Sequence, residues 1–162
     1  KIYAEIIGFG ESGDANHITS PVMDGPLRAM KAAFEMVKNI TGEYPKIDYI
    51  NTHGTSTPVG DKNETAAIKA LFEGKDIPLV SSTKGQIGHC LGAAGAIEAI
   101  FTLKALEEGI IPPTINIDNQ DPECDLDYVA NIARKAELTT VMSNNFGFGG
   151  TNGSVIFKKY TK

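Results

Sequence analysis

The chain has no tryptophan, only two cysteines (Cys90 and Cys124) and no excess of positive charge. Two cysteines are too few to staple a small secreted fold, so a reduced, cytoplasmic setting is expected. A formal net charge of −5 is opposite in sign to the basic face with which nucleic-acid binders meet phosphate, so no nucleic-acid partner is expected. No apolar run approaches the roughly 18 residues that a membrane-spanning helix needs, so no membrane insertion is expected. The start, Lys1-Ile2-Tyr3-Ala4-Glu5, lacks the layout of a signal peptide. It also lacks an initiator methionine and opens inside an apolar alternating run, Ile2 to Gly10. That beginning reads as a fragment or processed piece of a longer protein.

What is present is an alternation of strand and helix signals. Residues 2–9 read as a strand and 11–23 as a polar loop ending in Ser20-Pro21. A helix is predicted from Asp24, taken as N-cap, to about Ile40, with Leu27, Met30, Phe34 and Val37 as its apolar stripe and Gly42 as its stop. Ile47 to Asn51 reads as a short buried strand. After a loop over 52–60, Asp61 and Glu64 read as a capping box for a helix ended by Gly74. Pro78 to Ser82 is a strand, and a small-residue helix is predicted from Gly92 to Gly109. The segment 110–125 is irregular. A strand over 139–144, a glycine-rich turn over 146–153 and a strand from Ser154 to Lys158 close the chain. Strands separated by helices imply a layered α/β fold, helices against a mixed sheet, in one domain over 1–162.

Several motifs are weighed against this layout. Gly8-Phe9-Gly10-Glu11-Ser12-Gly13 matches the dinucleotide fingerprint, but polar residues and Ser20-Pro21 follow where a helix should begin, so a nucleotide site is not expected. No Gly-x-Ser-x-Gly elbow exists for a serine hydrolase, and three histidines without a Cys or carboxylate cluster make poor zinc spacing. Cys90 is read as a small buried residue. The sharper signals are Asn51-Thr52-His53-Gly54-Thr55-Ser56-Thr57-Pro58 and Ser82-Thr83-Lys84-Gly85-Gln86-Ile87-Gly88-His89. Each follows a predicted buried strand, where α/β sheets place ligands, and the pairing of two histidine loops predicts one shared site. The run Asn145-Phe146-Gly147-Phe148-Gly149-Gly150-Thr151-Asn152-Gly153 surrounds Phe148 with flexible backbone, suited to a moving loop or to amide donors for an oxyanion.

Together with Gly60-Asp61 and Glu64, Gly92-Ala93-Ala94-Gly95, Pro112-Pro113-Thr114-Ile115-Asn116, and upstream Gly13-Asp14-Ala15, His17-Ile18-Thr19 and Pro21, these stretches resemble the C-terminal half of the β-ketoacyl-[acyl-carrier-protein] synthases, closest to the type II elongating enzymes of bacterial fatty acid synthesis. The resemblance spans essentially the whole chain. It implies a thiolase-like fold, of which this is the second of two pseudo-equivalent halves, and a decarboxylative Claisen condensation of malonyl-carrier protein with an acyl thioester. It implies His53 and His89 as donors to the developing enolate oxygen. Lys84 would orient the network around His89 and help depress a thiol pKa, with Glu64 or Glu98 balancing it and Asp61 in the supporting network. The Phe148 amide would serve an acyl oxyanion hole while its ring gates the pocket. Thr55 and Thr57, with Phe146 and Gly149, would receive the phosphopantetheine arm, and Asn51, Glu98, Ser143 and Asn144 match a structural cation site.

The resemblance implies acyl carrier protein as partner, a homodimer for the full-length enzyme, and no cofactor beyond the carrier's phosphopantetheine. It also exposes a departure: the family's nucleophilic cysteine lies at the start of a buried helix in the first half, and neither Cys90 nor Cys124 has that context. Gly85-Gln86-Ile87, between Lys84 and His89, differs from many members. Two other readings stand beside an elongating synthase. One is a polyketide ketosynthase. The other is a non-catalytic chain-length partner, against which the retention of His53, Lys84, His89 and the Phe148 loop argues.

Overall fold

The period-two alternation near the start produces an edge strand, β1 (Glu5–Gly13), whose inward residues lie against a helix and whose outward residues stay in water. In the computed structural model, which describes residues 1–14 and 23–161, the main elements that follow are α1 (Asp24–Thr41), β2 (Tyr49–Asn51), α2 (Pro58–Leu71), β3 (Leu79–Ser81), the single turn α3 (Lys84–Ile87), α4 (Ala94–Glu108), β4 (Ile110–Ile111), β5 (Arg134–Lys135), β6 (Thr140–Phe146) and β7 (Thr151–Lys158). Five strands form one sheet in the order β1-β7-β6-β2-β3. β7 runs antiparallel to both β1 and β6, while β2 is parallel to both β6 and β3. The sheet is therefore mixed, as expected.

The two faces carry separate cores. On one, Met30, Phe34 and Val37 of α1 and Ala67 and Ile68 of α2 pack on Ile50, Val80, Met142 and Ile156. On the other, Ala105 and Leu106 of α4 pack on Tyr49, Val141 and Phe157. Strand alternation thus sends Ile50 to one core and its neighbours Tyr49 and Asn51 toward the other. Among the described residues, no helix is long and apolar enough to cross a membrane.

Several boundaries differ from those expected. β1 continues to Gly13, because Ser12 and Gly13 still pair with Asn152 and Thr151, so polar sequence at a sheet edge is strand and not loop. Residues 15–22 of the loop expected over 11–23, with Ala15, His17, Ile18, Thr19 and Pro21 of the family resemblance, lie outside the described residues. Asp24 is the first residue of α1 rather than its cap, and it pairs with Arg28 one turn on. Gly42 ends α1 as expected, at φ 87°, with its N–H donating to the Lys38 carbonyl. The capping box at Asp61 and Glu64 does not exist. α2 starts three residues earlier, capped by the Thr57 hydroxyl accepting from the Gly60 amide, with Pro58 in its first turn. The glycine-rich turn is shorter than expected, since β6 runs through Phe146 and β7 begins at Thr151. The pair β4–β5 and the turn α3 had no periodic signal to announce them.

The false dinucleotide fingerprint has a packing explanation. A Cβ on Gly8 would lie 2.7 Å from the Ala33 carbonyl oxygen, and one on Gly10 would collide with the Ala29 carbonyl and the Ala33 amide. The glycines let β1 and α1 approach. Replacing Gly10 by Ala should therefore destabilise the chain by about 1–3 kcal/mol in chemical denaturation, the usual result of overpacking. Gly153→Ala, whose Cβ would meet nothing nearer than the Asn145 carbonyl at 3.9 Å, should stay within about 0.5 kcal/mol.

Candidate functional site

Because β2, β3 and β6 are parallel, their C-terminal ends lie along one edge of the sheet, and the loops leaving β2 and β3 meet there. The Thr52 amide donates to the Ser81 carbonyl, joining the two loops at their roots. His53 follows β2 and His89 follows α3, and their rings stand edge-to-face with centroids 5.4 Å apart. Phe146, at the end of β6, is 5.8 Å from His53 on another side. The two matched loops thus bring their histidines together.

The environment keeps His53 neutral. Burial, then the nearby positive charge of Lys84 and the His89 ring, push its pKa down to about 3. Its Nδ1 is buried with no hydrogen-bond partner. His89 is exposed, and its Nδ1 accepts the Leu91 amide at 3.1 Å, so in the neutral ring the proton sits on Nε2.

Behind the histidines lies a buried ion pair. Lys84 Nζ donates to Glu98 Oε1 at 2.6 Å, with side-chain exposures of 5% and 0%. The other Glu98 oxygen accepts from Asn145 Nδ2 at 3.0 Å. Of the two carboxylates that could balance Lys84, the partner in contact is Glu98. Glu64 does something else: Oε1 accepts the His53 amide at 2.9 Å and Oε2 the Gly54 amide at 2.8 Å, holding the backbone of the His53 turn. Burial pushes its carboxyl up to about 7, against the opposing pull of those two amides. Asp61 braces the same loop from the other end by accepting the Ser56 amide, where Ser56 sits at φ 62°.

A cavity of about 730 Å³ opens onto both rings, walled by Thr55, Thr57, Asn145, Phe146 and Phe148 among others. The Thr55 and Thr57 hydroxyls are 3.1 Å apart. Phe148 is 72% exposed at the tip of the β6–β7 turn, where Gly149 and Gly150 take φ 75° and 80°, conformations open to glycine. Gly149 shapes that turn and is not part of the wall. Cys90, expected to be buried, is only half-buried, in a stretch whose neighbours on both sides, 85–89 and 91–93, are exposed.

The four expected cation residues do not all face one way. Asn51 and Ser143 are register partners on β2 and β6 and look toward α4 and Glu98. Asn51 Oδ1 and Ser143 Oγ are buried without partners, a donor set suited to a hard cation. Asn144 is one residue out of phase, and its side chain crosses to the α1 face, bonded to Ser154 and Met30. Among the described residues, no cluster of three or more His, Cys, Asp or Glu could hold a metal. Two residues central to this site were quoted within their motifs but given no role of their own. They are Asn145, which strand alternation places beside Ser143, and Ser82, considered below.

The β-ketoacyl synthase C-terminal domain profile matches residues 3–118. The 3-oxoacyl-[acyl-carrier-protein] synthase 2 proteins of Vibrio harveyi and Vibrio cholerae are 52% and 54% identical to this chain over 98% of its length. The chain spans about two fifths of those relatives, 39% in each case. Among solved structures, the ishigamide ketosynthase/chain length factor aligns with TM-score 0.91 at 41% identity, covering 99% of this chain and 39% of the other. A β-ketoacyl synthase from Burkholderia phymatum aligns with TM-score 0.89 at 41% identity, covering 99% and 38%.

Two measurements test the electrostatics. Lys84→Met alone should destabilise the chain by about 3–5 kcal/mol, because it strands a buried carboxylate, and adding Glu98→Gln should recover most of that loss. For Glu64, a folded pKa near 7 against an ordinary 4.5 means its contribution is complete below pH 4.5 and is lost as pH rises through 7. Denaturation midpoints of Glu64→Gln should lack that decline, whereas those of the unaltered chain should show it.

Proposed function

As the chain belongs to the β-ketoacyl synthases, matching their C-terminal domain and sharing the thiolase-like fold of its structural neighbours, we propose that the full-length protein is a 3-oxoacyl-[acyl-carrier-protein] synthase that elongates fatty acyl chains, with this chain as its second half. The observation that carries the proposal is the pair of facing imidazoles, one held neutral by burial beside a cation, in a single cavity.

In the proposed reaction an acyl group passes from carrier protein to a cysteine of the first half. Malonyl thioester then enters, and its bond to the carboxylate breaks. Carbon dioxide leaves, and the electron pair moves into an enolate whose oxygen becomes negative. The N–H groups of His53, held neutral by burial, and of His89 donate to that oxygen and stabilise it. The enolate carbon attacks the acyl thioester, whose oxyanion is met by the Phe148 amide, and collapse of the adduct expels the cysteine thiolate. Lys84, fixed by Glu98, adds its positive field to the burial that keeps His53 uncharged. Thr55 and Thr57 line the approach and would hold the phosphopantetheine arm with Phe146, while Gly149 frees the turn that carries Phe148. Asn51, Ser143 and Glu98 would hold a hard cation of structural role, with Asn144 contributing no side chain to it.

The partners follow from the same reading: acyl carrier protein as substrate carrier, and a second copy in the assembled enzyme. Relatives named synthase 2 share 49–54% identity with the chain, against 41% for the ketosynthase/chain length factor, which favours fatty acid elongation over the polyketide reading.

Elongation of an acyl-carrier protein should be absent with this chain alone and should appear when the missing half is supplied. Turnover by the chain alone would refute the proposal. In the full-length protein, His53→Ala or His89→Ala should lower malonyl-thioester decarboxylation by about 100- to 1,000-fold, as loss of one oxyanion donor does elsewhere.

A further inference from the structure

Ser82, the first residue after β3, is 7% exposed and touches both catalytic loops with one hydroxyl. Its Oγ donates to the Gly54 carbonyl at 2.7 Å, immediately after His53. The same oxygen accepts the Lys84 amide at 3.3 Å. Its own N–H donates to Thr114 Oγ1 at 3.0 Å, and Thr114 Oγ1 donates in turn to the Tyr128 carbonyl at 2.8 Å. The hydroxyl is therefore both donor and acceptor, anchored to a third segment of chain.

Close packing reinforces the link. Gly54 sits at φ 34°, and a Cβ there would be 2.6 Å from Ser82 Cβ and 2.9 Å from Ser82 Oγ. The His53 turn can approach the Lys84 turn this closely only because residue 54 has no side chain and residue 82 has a short one. Among the described residues, the Thr52–Ser81 contacts join the loops at the strand ends, and Ser82 joins them again at Gly54 and Lys84.

We propose that Ser82 is a positioning residue that sets the separation and facing of the His53 and His89 rings, with Thr114 holding Ser82 in turn. The inference deepens the reading above and rests on it for its chemistry. Two donors must converge on one oxygen, and a displacement of about 1 Å at such a site costs on the order of 100-fold in rate. The acyl-transfer half of the reaction does not use that oxygen, so it should not share the loss.

The test uses the full-length protein with Ser82→Ala, Ser82→Cys and Thr114→Val. Ser82→Ala should lower kcat for malonyl-thioester decarboxylation about 10- to 100-fold, with KM and the rate of acyl transfer within about twofold. Ser82→Cys, nearly isosteric with a weaker hydrogen-bonding group, should recover part of the loss, and Thr114→Val should show a smaller loss of the same pattern. Equal losses in both half-reactions, or none, would overturn the inference. Crystal structures of Ser82→Ala and the unaltered protein supply a readout independent of activity: the rings should move apart from 5.4 Å in the variant. Unmoved rings would overturn the role of Ser82, whereas an unaltered protein unable to decarboxylate malonyl thioester would overturn the assigned reaction and leave ring spacing to decide Ser82.

Discussion

Lys84 and Glu98 meet at 2.6 Å where neither side chain reaches much water, and a charge pair so placed constrains everything around it. Neither residue can be moved or neutralised alone without leaving the other buried and unpaired. Lys84 begins the short turn after β3, Glu98 lies on the sheet-facing side of α4, and Asn145 at the end of β6 takes the second carboxylate oxygen. One pair therefore ties three elements together at the edge where the parallel strands end. Its consequence for chemistry is electrostatic: the lysine charge beside His53 adds to burial in keeping that ring neutral.

A second set of contacts shapes the loops without adding charge. Glu64 holds the amides of His53 and Gly54, Asp61 holds that of Ser56, and Ser82 joins Gly54 to Lys84. The site is accordingly built in two tiers. An ion pair sets the field, and a net of backbone hydrogen bonds sets where the imidazoles stand. Neither tier depends on the exposed ion pairs such as Lys69–Asp125, which salt screens and which contribute little to stability.

Much of this was legible before any coordinates. The stripe through Met30, Phe34 and Val37 and the stop at Gly42 follow from helical periodicity and from glycine's tolerance of positive φ. The two histidine loops stood out because each follows a buried strand. Less legible were the features decided by partners distant in sequence. Ser12 and Gly13 look like loop residues until β7 pairs with them. The pattern Asp61-x-x-Glu64 looks like a helix cap until both carboxylates are found bonding the preceding loop instead.

By itself the sequence determined the α/β class, the alternating order of elements and the identities of the chemical groups, because periodicity, turn residues and motif spacing are local properties of a chain. Only the tertiary structure decided which carboxylate Lys84 meets, that Asn144 faces away from Asn51 while Asn145 joins Glu98, and that His53 stands 5.4 Å from His89. Those outcomes depend on strand register and on burial. Register places residues dozens of positions apart side by side, and burial sets what each charge then has to pair with.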